Sequence, residues 1–213
     1  MWWLFPLFAA GSYLLGSIPF GVIVGRRAKG IDIRAYGSGK TGFTNSLRTL
    51  GLGPSLIVFS GDLLKGALPV LLARQVSPHA SLQVVAAIAA VLGHDWPIYA
   101  GFKGGRGVAT SFGATAAMMP PVAVFLLLFG GALIYVYRYV SLMSVVVTPT
   151  GAVITWLLVL AGWVPPAYGV WGTLAALLIL VLHRENIVRL RSGTEPKIGQ
   201  GGQRRPRPGN ANP

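Results

Sequence analysis

The chain has no cysteine, which excludes disulfides, thiolate nucleophiles and cysteine-based metal sites. It is almost as poor in acid. Only five of its 213 residues are carboxylates, Asp32, Asp62, Asp95, Glu185 and Glu195, against 18 lysines and arginines, so the net charge is +13. No carboxylate is placed for a Ser/His/Asp triad. The three histidines, His79, His94 and His183, assemble no plausible metal-ligand cluster. Charged residues of both signs reach only 11%, less than half of the ~25% usual in soluble domains. What is abundant is apolar: 53% hydrophobic residues and a mean hydropathy of +0.62. The chain therefore reads as an all-α integral membrane protein. A basic chain raises the question of nucleic acid. Here, however, the cations lie between apolar segments, where topology and anionic lipids or substrates account for them better.

The apolar segments run over about 2–24, 54–73, 81–98, 108–137, 142–161 and 167–182. No Lys or Arg precedes the first, and cations follow it, so it reads as a retained span with Pro19 as a kink. Gly21 and Gly25 have small-xxx-small spacing, suited to close helix packing. The 108–137 stretch is interrupted by Pro120-Pro121 and is either one kinked helix or a hairpin of two short ones. Charge discriminates. With a hairpin there are seven transmembrane helices, N-terminus outside and C-terminus cytoplasmic, which puts sixteen cations inside, Arg74 alone outside and Lys65 in the membrane. A single helix gives six spans, with eight cations inside and nine outside. The positive-inside rule selects seven. Residues 1–199 then form one membrane domain, and 200–213, rich in Gly, Pro, Arg and Asn, form a tail expected to lack structure.

The polar stretches gather at one face. Phe102-Lys103-Gly104-Gly105-Arg106-Gly107-Val108-Ala109-Thr110 combines glycines with two cations ahead of a helix start. Backbone N–H groups, positive charge and a helix dipole would make an anion cradle, most plausibly for phosphate. The alternative is a tight cytoplasmic turn with ordinary positive-inside charge. Gly37-Ser38-Gly39-Lys40-Thr41-Gly42-Phe43-Thr44-Asn45 offers Ser38, Thr41, Thr44 and Asn45 as neutral donors, or is a flexible polar turn. Its Gly39-Lys40-Thr41 imitates the end of a nucleotide P-loop, but Arg34 stands where that motif needs glycine and no strand precedes it, so ATP hydrolysis is excluded. Asp62 and Lys65, one turn apart, are a helix-face ion pair or a support behind an active site. His183, with Asn186 one turn later, fits a substrate-binding helix end. The histidine-four-residues-aspartate pattern of soluble-type glycerolipid acyltransferases is absent, since Val84, Tyr99 and Val188 follow the three histidines at that spacing. Motifs on one face favour an enzyme over a transporter, which would more often place polar groups at the midplane.

Taken in order, Gly16-Ser17-Ile18-Pro19-Phe20-Gly21, the Gly37–Asn45 loop with Arg48, Gly93-His94-Asp95-Trp96-Pro97, Lys103 to Thr110, Tyr139-Val140-Ser141-Leu142 and His183 to Lys197 resemble one family. It is the bacterial acyl-phosphate:glycerol-3-phosphate acyltransferases, the PlsY family. The resemblance runs to about Gly199 and departs at Lys40-Thr41-Gly42-Phe43, where the family more often has asparagine and alanine. It implies transfer of an acyl group from an acyl-phosphate to glycerol 3-phosphate, giving 1-acyl-glycerol 3-phosphate and phosphate, without cofactor or metal. The expected enzyme is a monomer in the bacterial inner membrane, among membrane lipid, with its active site facing the cytoplasm and no nucleic-acid partner. Matched to the family's motifs, Ser38, Arg48, Lys103, Ser141, His183 and Asn186 are the expected catalytic residues. Gly104, Gly105, Arg106, Gly107 and Thr110 are expected to bind substrate phosphate. Lys103 and the loop amides would hold one phosphate, Arg48 and Asn186 would orient the other, and a substrate phosphate oxygen would take the hydroxyl proton. Glu195 is expected to pair with a loop arginine. An acyltransferase using acyl-CoA or acyl-carrier protein and an organophosphate transporter are the alternative readings.

Overall fold

The structure, a computed structural model, describes residues 2–205. Among them every regular element is helical, and the β contact is an isolated antiparallel bridge between Tyr36 and Arg204. The first apolar run is split as Pro19 predicts, into α1 (Leu4–Gly16) and α2 (Phe20–Lys29). Gly30, at φ +66°, closes α2 behind Arg26, Arg27 and Lys29, cations that suit the negative end of a helix. A polar loop leads to the short α3 (Phe43–Leu50). Gly51 at φ +90° turns the chain into α4 (Leu52–Val76), and α5 (Ala80–Asp95) follows. Pro120-Pro121 resolves the ambiguous run. It forms the first turn of α7 (Pro120–Tyr137), where a missing N–H costs nothing, and so ends α6 (Val108–Met118). The chain finishes with α8 (Val140–Leu160), α9 (Pro166–Leu182) and α10 (Arg184–Arg191).

Five helical stretches are long and apolar enough to cross a membrane: Leu4–Lys29, Leu52–Val76, Ala80–Ala100, Pro120–Tyr137 and Val140–Leu160. There are six if α9 and α10, bent by 62°, count as one span. The expectation of seven transmembrane helices, two of them short, is met only this far. The remaining segment, α6, has 11 residues, or ~16 Å at ~1.5 Å per residue, about half of a ~30 Å hydrocarbon core. It is held inside the bundle along α4. A Cβ at Gly66 would collide with the Thr110 backbone, and one at Gly113 with the Leu63 backbone, so the two helices touch main chain to main chain. The Gly21–Gly25 pair does not join two spans. Both glycines pack against the loop that follows, at Thr41 and Ile31.

α5 is the central post, packed on α1, α4 and α9. Val70, Val91, Ala114, Met118 and Trp171 form the core where α4, α5, α6 and α9 meet. Leu71, Leu127, Leu128, Leu157 and Leu160 face outward in the exposed flank of α4, α7 and α8, a surface suited to lipid rather than water. One polar group inside the bundle is handled specifically. The break before α2 leaves the Ile18 carbonyl without a helical partner, and Lys65 Nζ donates to it at 3.0 Å while pairing with Asp62 at 2.8 Å.

Candidate active site

Four connections converge at one end of the bundle. In the first, Asp32 Oδ1 accepts from the Arg34 backbone N–H at 3.0 Å. The Arg34 guanidinium returns to the Asp32 carboxylate, with Nη2 to Oδ2 at 2.7 Å, and reaches the Ala100 carbonyl at 2.7 Å. Hydrogen bonding to Arg34 holds the Asp32 carboxyl below its ordinary pKa, against a smaller opposing effect of burial. The link ties the first loop to the glycine-rich loop beyond α5. Asn45, buried in the first turn of α3, staples the loop to itself. Its Nδ2 donates to the carbonyls of Ile33, Tyr36 and Lys40 at 3.2, 3.1 and 2.8 Å, and its Oδ1 accepts from the Ser38 N–H at 3.0 Å. Asn45 is thus a shaping residue whose amide is already engaged, not the free donor its sequence position suggested.

The glycine-rich loop is moulded onto α5. Gly105 N–H donates to the His94 carbonyl at 3.1 Å, and a Cβ on Gly105 would collide with His94 Nε2. Gly107, at φ +71°, opens α6, and a Cβ there would press on the Asp95 carboxylate. The third connection turns at Arg138, φ +63°, and starts α8 with Val140 and Ser141. The fourth is the end of α9. There His183 Nδ1–H donates to the Ile179 carbonyl at 2.8 Å, which makes Nε2 the unprotonated acceptor. Burial first, then the charge of Arg106, pushes the His183 pKa down to about 4.

Glu195 anchors the segment after α10. It accepts from Asn186 Nδ2 at 2.7 Å and from Arg189 Nε at 2.8 Å. Burial would raise its pKa, but these bonds, the nearby Ser141 hydroxyl and the Arg189 charge outweigh it and hold the carboxyl below its usual range. Ser141 Oγ is near that carboxylate without a bond of good geometry. The arginine partner is on α10 rather than on a loop.

A cavity of about 400 Å³ starts among these connections. Ser38, Lys40, Thr44, Arg106 and His183 line it together with Asp62 and His94. It continues between α6, α7, α8 and α9 to Met119, Thr155 and Trp171. Trp171 lies 12 residues before His183, so the apolar part extends ~18 Å along α9. Leu56 and Leu127, both exposed, also line it, which leaves the flank of the cavity partly open.

Comparison with known proteins decides the family. A model of glycerol-3-phosphate acyltransferases matches residues 6–193. The chain belongs to the glycerol-3-phosphate acyltransferase family. A glycerol-3-phosphate acyltransferase of Parasynechococcus marenigrum is 48% identical over 194 residues, covering 91% of this chain and 90% of that one. One from Halalkalibacterium halodurans is 44% identical over 199 residues, covering 91% and 95%. The crystal structure of PlsY (YgiH), an integral membrane glycerol 3-phosphate acyltransferase in its glycerol 3-phosphate form, is similar with a TM-score of 0.85. It is 38% identical and covers 92% of this chain and 96% of that one. Its lysophosphatidic acid form gives 0.82, at 37% identity, covering 91% and 94%.

Within this acyltransferase the residues expected from sequence fall into two sets. Ser38, Arg106 and His183 line the cavity directly. Arg48, Ser141, Asn186 and Thr110 lie behind or beside that lining: Arg48 Nη2 donates to the Pro196 carbonyl at 3.0 Å, and the other three are buried. Gly104, Gly105 and Gly107 pack against the end of α5, at His94, Val91 and Asp95. Lys103 is exposed and outside the cavity lining. Sequence reasoning missed the Asn45 staple, the joining of Asn186 to Glu195 and the deep reach to Trp171. The start of the tail also departs from expectation, because residues 200–205 lie against the first loop. Residues 206–213 lie outside the described residues.

Proposed function

We propose that this acyltransferase transfers an acyl group from an acyl-phosphate to glycerol 3-phosphate, forming 1-acyl-glycerol 3-phosphate and inorganic phosphate. One observation carries the reading: a cationic, polar mouth opens into a long apolar trough. Such a shape suits a phosphate-bearing head with an acyl tail. Arg48 Nε, Arg106 Nε, Thr110 Oγ1, Ser141 Oγ and Asn186 Oδ1 are buried polar atoms without a protein partner among the described residues. Buried polar groups are ordinarily satisfied; Arg106 lines the cavity and the other four lie behind or beside that lining, an arrangement that supports substrate binding there. The donor is an activated anhydride. Catalysis then rests on positioning and charge stabilisation more than on a covalent nucleophile. The glycerol hydroxyl attacks the acyl carbonyl, the acyl–phosphate bond breaks, and the proton passes to a phosphate oxygen. His183 Nε2 can orient the hydroxyl. Its pKa of about 4 makes it a weak base, which favours phosphate as the acceptor.

The same reading has seven passages through a bacterial inner membrane, N-terminus outside, active site cytoplasmic and a monomeric unit, with α6 as a short passage inside protein. The gathering of four alternate connections around one cavity and the cation distribution support it. Because the chain has no cysteine, single cysteines placed at the exposed His79 and Thr194 report sidedness with an impermeant thiol reagent. Labelling of both from the same side refutes the topology.

The activity test uses purified protein with palmitoyl phosphate and glycerol 3-phosphate, measuring phosphate and lysophosphatidic acid, with palmitoyl-CoA in parallel. Both products from the acyl-phosphate alone, and their loss in Arg106→Ala, are expected. Turnover with the CoA ester alone would refute the donor assignment.

A further inference from the structure

Residues 200–205 lie beyond the segment matched by the family model, and their composition suggested no structure. They nevertheless cross the first loop as a short strap. Gly37 N–H donates to the Gln203 carbonyl at 3.0 Å, Arg205 N–H to the Ala35 carbonyl at 2.9 Å, and Tyr36 bridges Arg204 in antiparallel register. Gly202 sits so close to the Arg48 carbonyl that a Cβ would collide with it. The Arg205 guanidinium lies on Gly39, where a Cβ would also collide. The strap therefore grips the loop on both sides of Ser38 and ends beside Lys40.

Lys40 is the one cation of the Gly37–Asn45 loop. It is half-buried and lines the cavity with Ser38, Arg106 and His183. No carboxylate among the described residues pairs with it within ion-pair distance, whereas Asp32, Asp62 and Glu195 are paired. Its carbonyl is pinned by Asn45 Nδ2, so the backbone from which the side chain projects is fixed. Like charge meets Lys40 from Arg106 on the cavity side and, to a lesser degree, from Arg205 on the tail side, so an anion held between Lys40 and Arg106 relieves the larger repulsion. The cavity side, with the glycine cradle and the Arg106 donors, is where an anion would meet it.

We propose that Lys40 is an additional substrate-phosphate contact of this chain, aimed into the cavity by the 200–205 strap. This rests on the acyl-transfer reading, and turnover by the parent protein tests that reading separately. The shared chemistry is a phosphate, which belongs to glycerol 3-phosphate or to the acyl-phosphate. Measuring KM for each, with inorganic phosphate as product inhibitor, identifies which.

The test is a double-mutant cycle of Lys40→Met and a chain ended after Gly199, with Lys40→Arg as the conservative variant. A contact to a charged group lost from the site raises one of the two KM values about tenfold in Lys40→Met, while kcat changes less and Lys40→Arg retains most of the affinity. The shortened chain raises the same KM severalfold, with its melting temperature unchanged. In the Lys40→Met background the shortening has no further effect, because the strap acts through Lys40. Binding of inorganic phosphate, followed by calorimetry on the whole protein, weakens in parallel. Unchanged KM values in Lys40→Met overturn the contact. A shortening effect of equal size with and without Lys40 overturns the aiming role.

Discussion

Replacing Lys65 by methionine keeps the volume and removes the charge, and it isolates how the break at Pro19 is tolerated. Lys65 and Asp62 are 2.8 Å apart with side chains only 3% and 2% exposed. Removing Lys65 leaves the buried Asp62 carboxylate with only His94 Nδ1, 3.3 Å away, beside it, and losing one member of a buried pair costs about 3–5 kcal/mol. The Ile18 carbonyl also loses its 3.0 Å donor, roughly another 1 kcal/mol. At ~2–4 °C per kcal/mol for a chain of this size, Lys65→Met should lower the melting temperature by roughly 10–20 °C. Asp62→Leu/Lys65→Met removes both charges and should recover most of the loss, because no unpaired ion remains. Thermal unfolding in detergent, followed by fluorescence of the six tryptophans, measures both. A single variant melting within ~2 °C of the parent, or a double variant melting as low as the single one, refutes the reasoning.

Gly105→Ala forces the glycine-rich loop away from His94 Nε2. A displacement of ~1 Å should cost about 100-fold in kcat/KM, and turnover within a fewfold of the parent would show that the cradle is not needed. Asn45→Ala removes the loop staple and should lower stability by about 2–4 kcal/mol. Asn45→Asp should rescue little, since a carboxylate has no N–H for the three carbonyls; full rescue in a melting experiment would contradict this. For His183 the folded pKa of about 4 lies below the ordinary 6.5. As pH falls from about 6.5 towards about 4, the unfolded chain takes up a proton that the folded one excludes, so this part of the stability is lost on acidification. The pH–rate profile should show no His183 step near 6.5, and a step there that vanishes in His183→Gln would identify it as the base.

The helices were legible because proline and apolar runs are local signals. Pro19 splits α1 from α2, and Pro120-Pro121 splits α6 from α7. That α6 is only 11 residues long was not legible as a packing statement. Its main-chain contact with α4 depends on Gly66 meeting Thr110 and Gly113 meeting Leu63, residues 44 and 50 apart in the chain, and no local periodicity reports it. The site divides in the same way. Glycines and cations advertise a phosphate loop, and Ser38, Arg106 and His183 do share a cavity. Asn45, Glu195 and the strap act by bonding to backbone or to residues distant in sequence, so composition gives no hint of them.

The open flank of the cavity, where exposed Leu56 and Leu127 border its apolar trough, has a kinetic consequence. A lipid-tailed donor can arrive, and a lipid-tailed product depart, sideways within the plane of the bilayer while its hydrocarbon stays out of water. At ~0.8 kcal/mol per methylene, pulling a long chain into solution at each turnover would be prohibitive. The quantity that sets the rate is then the donor's mole fraction in the surface rather than its bulk molarity. Adding inert lipid or detergent at fixed total donor should slow the enzyme as if it were a competitive inhibitor.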